Sequence, residues 1–149
     1  MIFTEEVRDL LTVSSDYYLA HCISADFGMG MGIAVEFNKR FDMKNKLMAK
    51  YGNYQEHYHM GECILEDRVF NLITKPKYFS KPTYTTIGNA LRHMKALCVE
   101  YKINKVAMPV IGCGLDRLEW HKVSAIIKDI FADTCKFRPT GVNLSLETV

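Results

Sequence analysis

Lys75 closes an apolar run, Leu72-Ile73-Thr74-Lys75, and Pro76 follows at once. Proline has no N–H with which to extend a central strand, so Lys75 is predicted to stand at a strand end. With its stem buried there, the ammonium is desolvated, which favours the neutral amine. Such an amine attacks carbonyl or anomeric carbons and forms Schiff-base-type intermediates. A solvated strand-end charge is the competing reading of Lys75, and Lys77 and Lys81 read as exposed charges.

A second segment, Ile111-Gly112-Cys113-Gly114-Leu115-Asp116-Arg117-Leu118-Glu119-Trp120, runs from an apolar stretch through a Gly-x-Gly turn towards a helical pattern. Successive amides in such a turn form a nest for phosphate or ribose oxygens. Asp116 supplies a carboxylate at the end of the turn. Asp116 and Glu119 also have the spacing of a capping box, with Asp116 as N-cap, and the two roles do not exclude each other.

The third segment is Ala25-Asp26-Phe27-Gly28-Met29-Gly30-Met31-Gly32-Ile33-Ala34, with glycine at alternate positions before a helical pattern. Glycine lets backbone amides approach a bound group, and the helix N-terminus beyond adds unpaired N–H groups suited to a diphosphate. No Lys-Ser/Thr follows the last glycine, so the P-loop pattern fails, and the dinucleotide spacing fails too. An ordinary Gly-rich turn is the alternative.

The elements that position these segments alternate in type. Tyr17–Ile23, Val69–Thr74 and Val106–Ile111 are predicted strands, and Gly141–Val149 alternates Val142, Leu144 and Leu146 against polar neighbours. Glu62–Leu65 and the first few residues are weaker strand candidates. Helical stripes run from Thr83 to Tyr101, from Trp120 to Phe131 and from Gly32 to about Phe41, with a shorter helix at Met43–Tyr51. Gly52–Gly61, containing Asn53, His57 and His59, is the expected long loop and reads as a surface excursion. Strands alternating with helices predict an α/β layered domain, in which ligands bind beyond the carboxyl ends of the strands.

The chain has 149 residues, 48% of them hydrophobic and 24% charged, which argues for one ordered domain spanning 1–149 rather than two. A net charge of +2 is too small to argue for nucleic acid by itself, yet it is compatible with an anionic ligand. Cys22, Cys63, Cys98, Cys113 and Cys135 are odd in number, widely spaced and without a CxxC pair, which fits free thiols in a reducing compartment. The acidic start, Met-Ile-Phe-Thr-Glu-Glu, is unlike a secretory signal, and no apolar stretch reaches the ~20 residues needed to cross a bilayer. A cytoplasmic or nucleocytoplasmic protein is expected.

Taken in order, LAHCISADFGMGMGIAVEF, NLITKPKYFSKPTY, AMPVIGCGLDRLEW and the helix VSAIIKDIF resemble the macrodomain superfamily. They resemble more narrowly its terminal ADP-ribose protein glycohydrolase branch, also called O-acetyl-ADP-ribose deacetylase. The likeness spans Val7 to about Phe131, and the combination of LITK, KPTY and IGCGLDRLEW is specific to that branch.

The resemblance implies a three-layer α/β/α macrodomain with a mixed central sheet and ADP-ribose lying across its crest. Asp9 would accept a hydrogen bond from the adenine amino group, although Arg8 stands where the family commonly has glycine. Ser24 would join the substrate-binding set, while Gly30, Met31, Gly32 and Ile33 would wrap the diphosphate and distal ribose. Ile111, Gly112, Cys113, Gly114 and Leu115 would hold the phosphates from the other side. Phe79, Ser80 and Tyr84 are near the site by proximity to Lys75. Lys75 would attack the anomeric carbon of the distal ribose and displace a glutamate or aspartate carboxylate, and Asp116 would help resolve the Lys adduct. The pair would equally serve deacylation of O-acyl-ADP-ribose. Implied partners are ADP-ribose, ADP-ribosylated proteins and ADP-ribosylated DNA bases, with a monomeric chain, no membrane, no cofactor and no metal. A reader module without turnover and an ADP-ribose-1″-phosphate phosphatase are the alternative functions on this fold.

Overall fold

The structure is a computed structural model and describes residues 2–7, 9–52, 60–114, 116–132 and 143–148. In chain order the elements are β1 (Ile2–Val7), β2 (Tyr18–Ser24), α1 (Ile33–Phe41), α2 (Met43–Tyr51), β3 (Glu62–Glu66), β4 (Val69–Lys75), α3 (Tyr84–Glu100), β5 (Lys105–Met108), α4 (Trp120–Phe131) and β6 (Asn143–Thr148). The strands form a six-stranded sheet in the order β1-β6-β5-β2-β4-β3. Every neighbouring pair is parallel except β3 with β4, which is antiparallel. The sheet is therefore mixed, and the carboxyl ends of β1, β6, β5, β2 and β4 lie along one edge.

Strand periodicity sorts the side chains onto two faces. From β2 and β4, Ala20, Phe70 and Leu72 face a core built with Ile87, Leu91 and Met94 of α3 and Val123, Ile127 and Phe131 of α4. Leu19, Ile23, Val69 and Ile73 face the other core, with Phe37 of α1 and Met43 and Leu47 of α2. Helices thus cover both faces, giving the three-layer α/β/α arrangement. Each fully buried Phe or Leu side chain removed from water contributes roughly 1.5–3 kcal/mol, so the two cores hold the sheet edge rigid.

Several boundaries differ from the sequence expectation, for local reasons. β2 begins one residue later than predicted and reaches Ser24, with a register shift between Ile23 and Ser24 that pairs Ser24 with Lys75. β5 ends at Met108 rather than Ile111, because Pro109 has no N–H to continue the ladder. Thr83 is the N-cap of α3, not its first residue: its hydroxyl accepts from the Thr86 amide at 3.1 Å while the Thr86 hydroxyl accepts from the Thr83 amide at 3.0 Å. Asn53, His57 and His59 of the expected loop, Cys135, and positions 141, 142 and 149 of the expected last strand lie outside the described residues. Among the described residues no helix is long and apolar enough to cross a membrane.

One polar pair is buried beneath the site. His21 Nε2 donates to Asn71 Oδ1 at 2.6 Å, and Asn71 Nδ2 donates to the carbonyls of Ile64 and Val69. The imidazole stacks on Phe37, ring centroids 4.1 Å apart, and ties α1 to the sheet. Burial pushes the His21 pKa down from 6.5 to about 4, against the hydrogen bond to Asn71, which raises it. The unfolded chain takes up this proton near pH 6.5 and the folded chain only near pH 4, so stability is full above 6.5 and is lost as pH falls towards 4. Wild-type protein is expected to lose about 2 kcal/mol more than His21→Leu between pH 7.5 and 5 in urea unfolding; equal losses would remove His21 as the cause.

Candidate active site

Four loops rise from the shared sheet edge, after β1, β2, β4 and β5. Because β2 lies between β5 and β4, the loop after β5 must cross the end of β2 to reach Lys75. It does so: Lys75 Nζ donates to Asp116 Oδ1 at 2.9 Å, and the two side chains are 17% and 15% exposed. Enough of each is open for a substrate to reach, and little enough for bulk water to be thinned around the pair. The contact puts Lys75 Nζ and the Asp116 carboxylate within direct hydrogen-bond reach, the geometry an amine and an acid–base partner need.

Asp116 is not a helix cap. Glu119 occupies the N-cap of α4 and makes no side-chain capping bond, so the capping-box reading of Asp116 and Glu119 fails. The intervening turn is closed by backbone instead, Arg117 N–H to Gly114 and Leu118 N–H to Gly112, with Arg117 in the left-handed region at φ 60°. That turn directs Asp116 over β2. Tyr84, at the start of α3, supports the same turn by accepting the Glu119 amide at 3.1 Å.

The two thiols near the pair are held protonated. Burial, and next the negative charge of Asp116, push the Cys22 thiol up to about 12, outweighing the Thr74 hydroxyl and Lys75, which pull it down. Burial raises Cys113 as well, and its thiol donates to the Ile111 carbonyl at 3.3 Å. A protonated thiol is a poor nucleophile, so neither cysteine competes with an amine for attack here.

Each Gly-rich loop carries one glycine in the left-handed region, Gly32 in the first and Gly112 in the second. Gly32 caps α1 at φ 64° and, lacking a side chain, gives the first-turn amides no side-chain partner. Gly30, Met31 and Gly32 are exposed, Ile33 is half-buried, and a Cβ at Gly30 or Gly114 would meet no atom within 4 Å. Open space thus borders both loops. Gly112 lies at φ 73°, and a Cβ there would come within 2.7 Å of Ile87 Cδ1 and 3.1 Å of Leu118 Cδ1. Gly112→Ala is therefore expected to cost about 2 kcal/mol in urea unfolding, with Gly114→Ala within about 0.5 kcal/mol of wild type. Equal stability of the two variants would contradict this account of the turn.

Ser24 is buried at the end of β2, beside Lys75 in register. Asp9 follows β1 on the same edge but is exposed, and its carboxylate accepts the Leu11 amide at 3.0 Å as the cap of a short 3-10 turn. Leu115 and Arg8 lie outside the described residues. Tyr78 and Phe79 are 65% and 72% exposed, at the loop that follows Lys75.

Sequence reasoning passed over Asp26. Its Oδ1 accepts the Ser24 hydroxyl and the Gly28 amide, the latter at 3.1 Å, and its Oδ2 accepts the Tyr78 amide at 3.0 Å. An Asp two residues before a Gly is the signature of an Asx turn and was the available signal. The bond to Tyr78 crosses 52 residues of sequence, and no local pattern encodes it.

The Macro domain family matches residues 20–127. Human and cattle ADP-ribose glycohydrolase OARD1 are each 41% identical to the chain over 130 residues, spanning 85% of this chain and 82% of each of those proteins. The chain belongs to the Macro domain family, in the branch that contains these glycohydrolases, which are hydrolases. Among solved structures, the macrodomain of Thermus aquaticus DarG superposes with a TM-score of 0.83 at 18% identity, covering 99% of both chains. Thermosipho africanus DarTG, solved in complex with ADP-ribose, gives 0.72 at 17% identity over 91% of this chain and 39% of that one. At these identities the two structures share its fold.

Proposed function

We propose that this chain is an ADP-ribosyl hydrolase that releases ADP-ribose from acyl linkages to glutamate or aspartate, with Lys75 as nucleophile and Asp116 as its acid–base partner. The observation that carries the proposal is the 2.9 Å contact between Lys75 Nζ and Asp116 Oδ1, on the sheet edge from which both glycine loops rise. Similarity to OARD1 over most of the chain supports the same reading. Asp9 would take the adenine, and Ser24 with the Gly30–Ile33 and Ile111–Leu115 loops the diphosphate and distal ribose.

In the first step Asp116 takes a proton from the Lys75 ammonium and the amine attacks the anomeric carbon of the distal ribose. The new C–N bond forms as the C–O bond to the acyl carboxylate breaks, and the carboxylate leaves with the electron pair. A carboxylate is a stable anion and departs with little acid help, so two residues suffice. In the second step water attacks the anomeric carbon and the C–N bond breaks. Asp116, having passed its first proton to solvent, takes a proton from the water and returns it to the departing amine, and ADP-ribose is released. The same pair would deacylate O-acyl-ADP-ribose.

The test compares ADP-ribose release from glutamate-linked, serine-linked and DNA-base-linked substrates. Release from the glutamate-linked substrate is expected, with the serine-linked one intact, because a serine alkoxide is a far poorer leaving group. Rapid release from serine would sink the acyl assignment. DNA release that falls steeply with salt while O-acetyl-ADP-ribose cleavage does not would mark phosphate contacts to a nucleic-acid carrier.

A further inference from the structure

We propose that Asp26 is a positioning residue for Lys75: its one carboxylate clamps the glycine loop after β2 to the loop after β4, and so fixes the nucleophile relative to the diphosphate cradle. The inference rests on the proposed hydrolase function.

Three donors converge on Asp26. The Ser24 hydroxyl, at the end of β2, and Gly28 N–H, in the loop that follows, reach Oδ1, and Tyr78 N–H reaches Oδ2 from the loop that begins immediately after Lys75. Ala25 N–H also donates to the Lys75 carbonyl at 2.9 Å, which continues the β2–β4 pairing into the loops. The loops touch closely: a Cβ on Gly28 would lie 3.0 Å from Tyr78 Cβ. Gly28 is thus the residue that lets them close, and Asp26 is the group that holds them closed.

Both carboxylate oxygens accept, so ionisation matters to the clamp. Burial opposes the charge of Asp26, but the Ser24 hydroxyl, the Tyr78 and Gly28 amides and the charge of Lys77 outweigh it and hold the carboxyl below its ordinary value. An asparagine has the same shape but one acceptor oxygen. Its NH2 group must turn a donor towards either Tyr78 N–H or the Gly28–Ser24 side. A loosened clamp displaces Lys75 from the anomeric carbon, and a shift of about 1 Å can cost on the order of 10²-fold in rate.

The experiment measures kcat and KM on a glutamate-linked ADP-ribosyl peptide, ADP-ribose affinity by calorimetry, and thermal melting, for wild type, Asp26→Asn and Gly28→Ala. Gly28→Ala leaves Asp26 in place and pushes the two loops apart, so it tests the clamp even where Asp26→Asn fails to fold. Both variants are expected to fold, to lose roughly 10²-fold in kcat and to weaken ADP-ribose binding less than about fivefold. A general loss of structure would instead lower melting temperature, affinity and kcat together. The clamp is overturned if folded variants keep kcat within twofold of an active wild type, or if their loss appears in KM and affinity alone. An inert wild type overturns the proposed function and the clamp with it.

Discussion

Lys75→Ala protein is expected to bind ADP-ribose within about tenfold of wild-type affinity, yet to release it from a glutamate-linked substrate at least about 10³-fold more slowly. The two effects separate because Lys75 and the cradle do different work. On the proposed function, affinity would come from the backbone amides at Gly30–Ile33 and Gly112–Gly114, which the substitution leaves in place. Rate depends on a nitrogen lone pair that alanine cannot supply, and the neighbouring Cys22 thiol, raised to about 12, cannot replace it. The change also strips Asp116 of its partner while that carboxylate stays 15% exposed, so some stability is lost with the rate. Calorimetry with ADP-ribose and single-turnover release measured on the same protein read the two quantities apart. Turnover within about threefold of wild type would show that the lysine is a structural counter-charge and not the nucleophile.

The sequence reveals the scaffold of this site more fully than the site itself. Apolar runs and 3.6-residue stripes are local signals, and they placed α2 and α4 at the observed residues and β4 to within one. Sheet order is not local: β6 inserts between β1 and β5, and no periodicity announces that pairing. Side-chain contacts behave in the same way. Lys75 at a strand end was visible, but its bond to Asp116 spans 41 residues and depends on β2 lying between their strands. Without that contact, the Asp-x-x-Glu spacing at Asp116 and Glu119 favours a cap as readily as an acid–base group. The structure removes the cap, because the helix starts one residue after Glu119, too late for Asp116 to cap it. Asp26 illustrates the harder case. Half of its role, the turn to Gly28, is local and was legible, whereas the half that matters to Lys75 crosses to Tyr78.

Asp116→Asn separates the two chemical steps. Asparagine retains an oxygen to accept a bond from Lys75 Nζ, so the pair's geometry survives, but it cannot take up a proton. Loss of a general acid–base group typically slows a reaction by 10²–10⁴-fold, and turnover is expected to fall within about that range. The size of the fall matters less than where the substrate stops. The first step has a good leaving group and can proceed slowly without Asp116. The second must expel an amine while a water molecule is deprotonated, and it depends far more on Asp116. An ADP-ribosyl adduct on Lys75 should therefore accumulate in Asp116→Asn, visible by mass spectrometry of denatured protein. It should be absent in wild type, where the second step keeps pace, and in the Lys75→Ala, Asp116→Asn double variant, which has no nucleophile. The double variant should be no slower than Lys75→Ala alone, because the residues act as one unit and their losses do not add. A folded Asp116→Asn protein that turns over normally would leave Asp116 with no part in the reaction. One that is slow but never labelled would remove the covalent step and point to direct attack by water, with Lys75 neutralising the departing carboxylate.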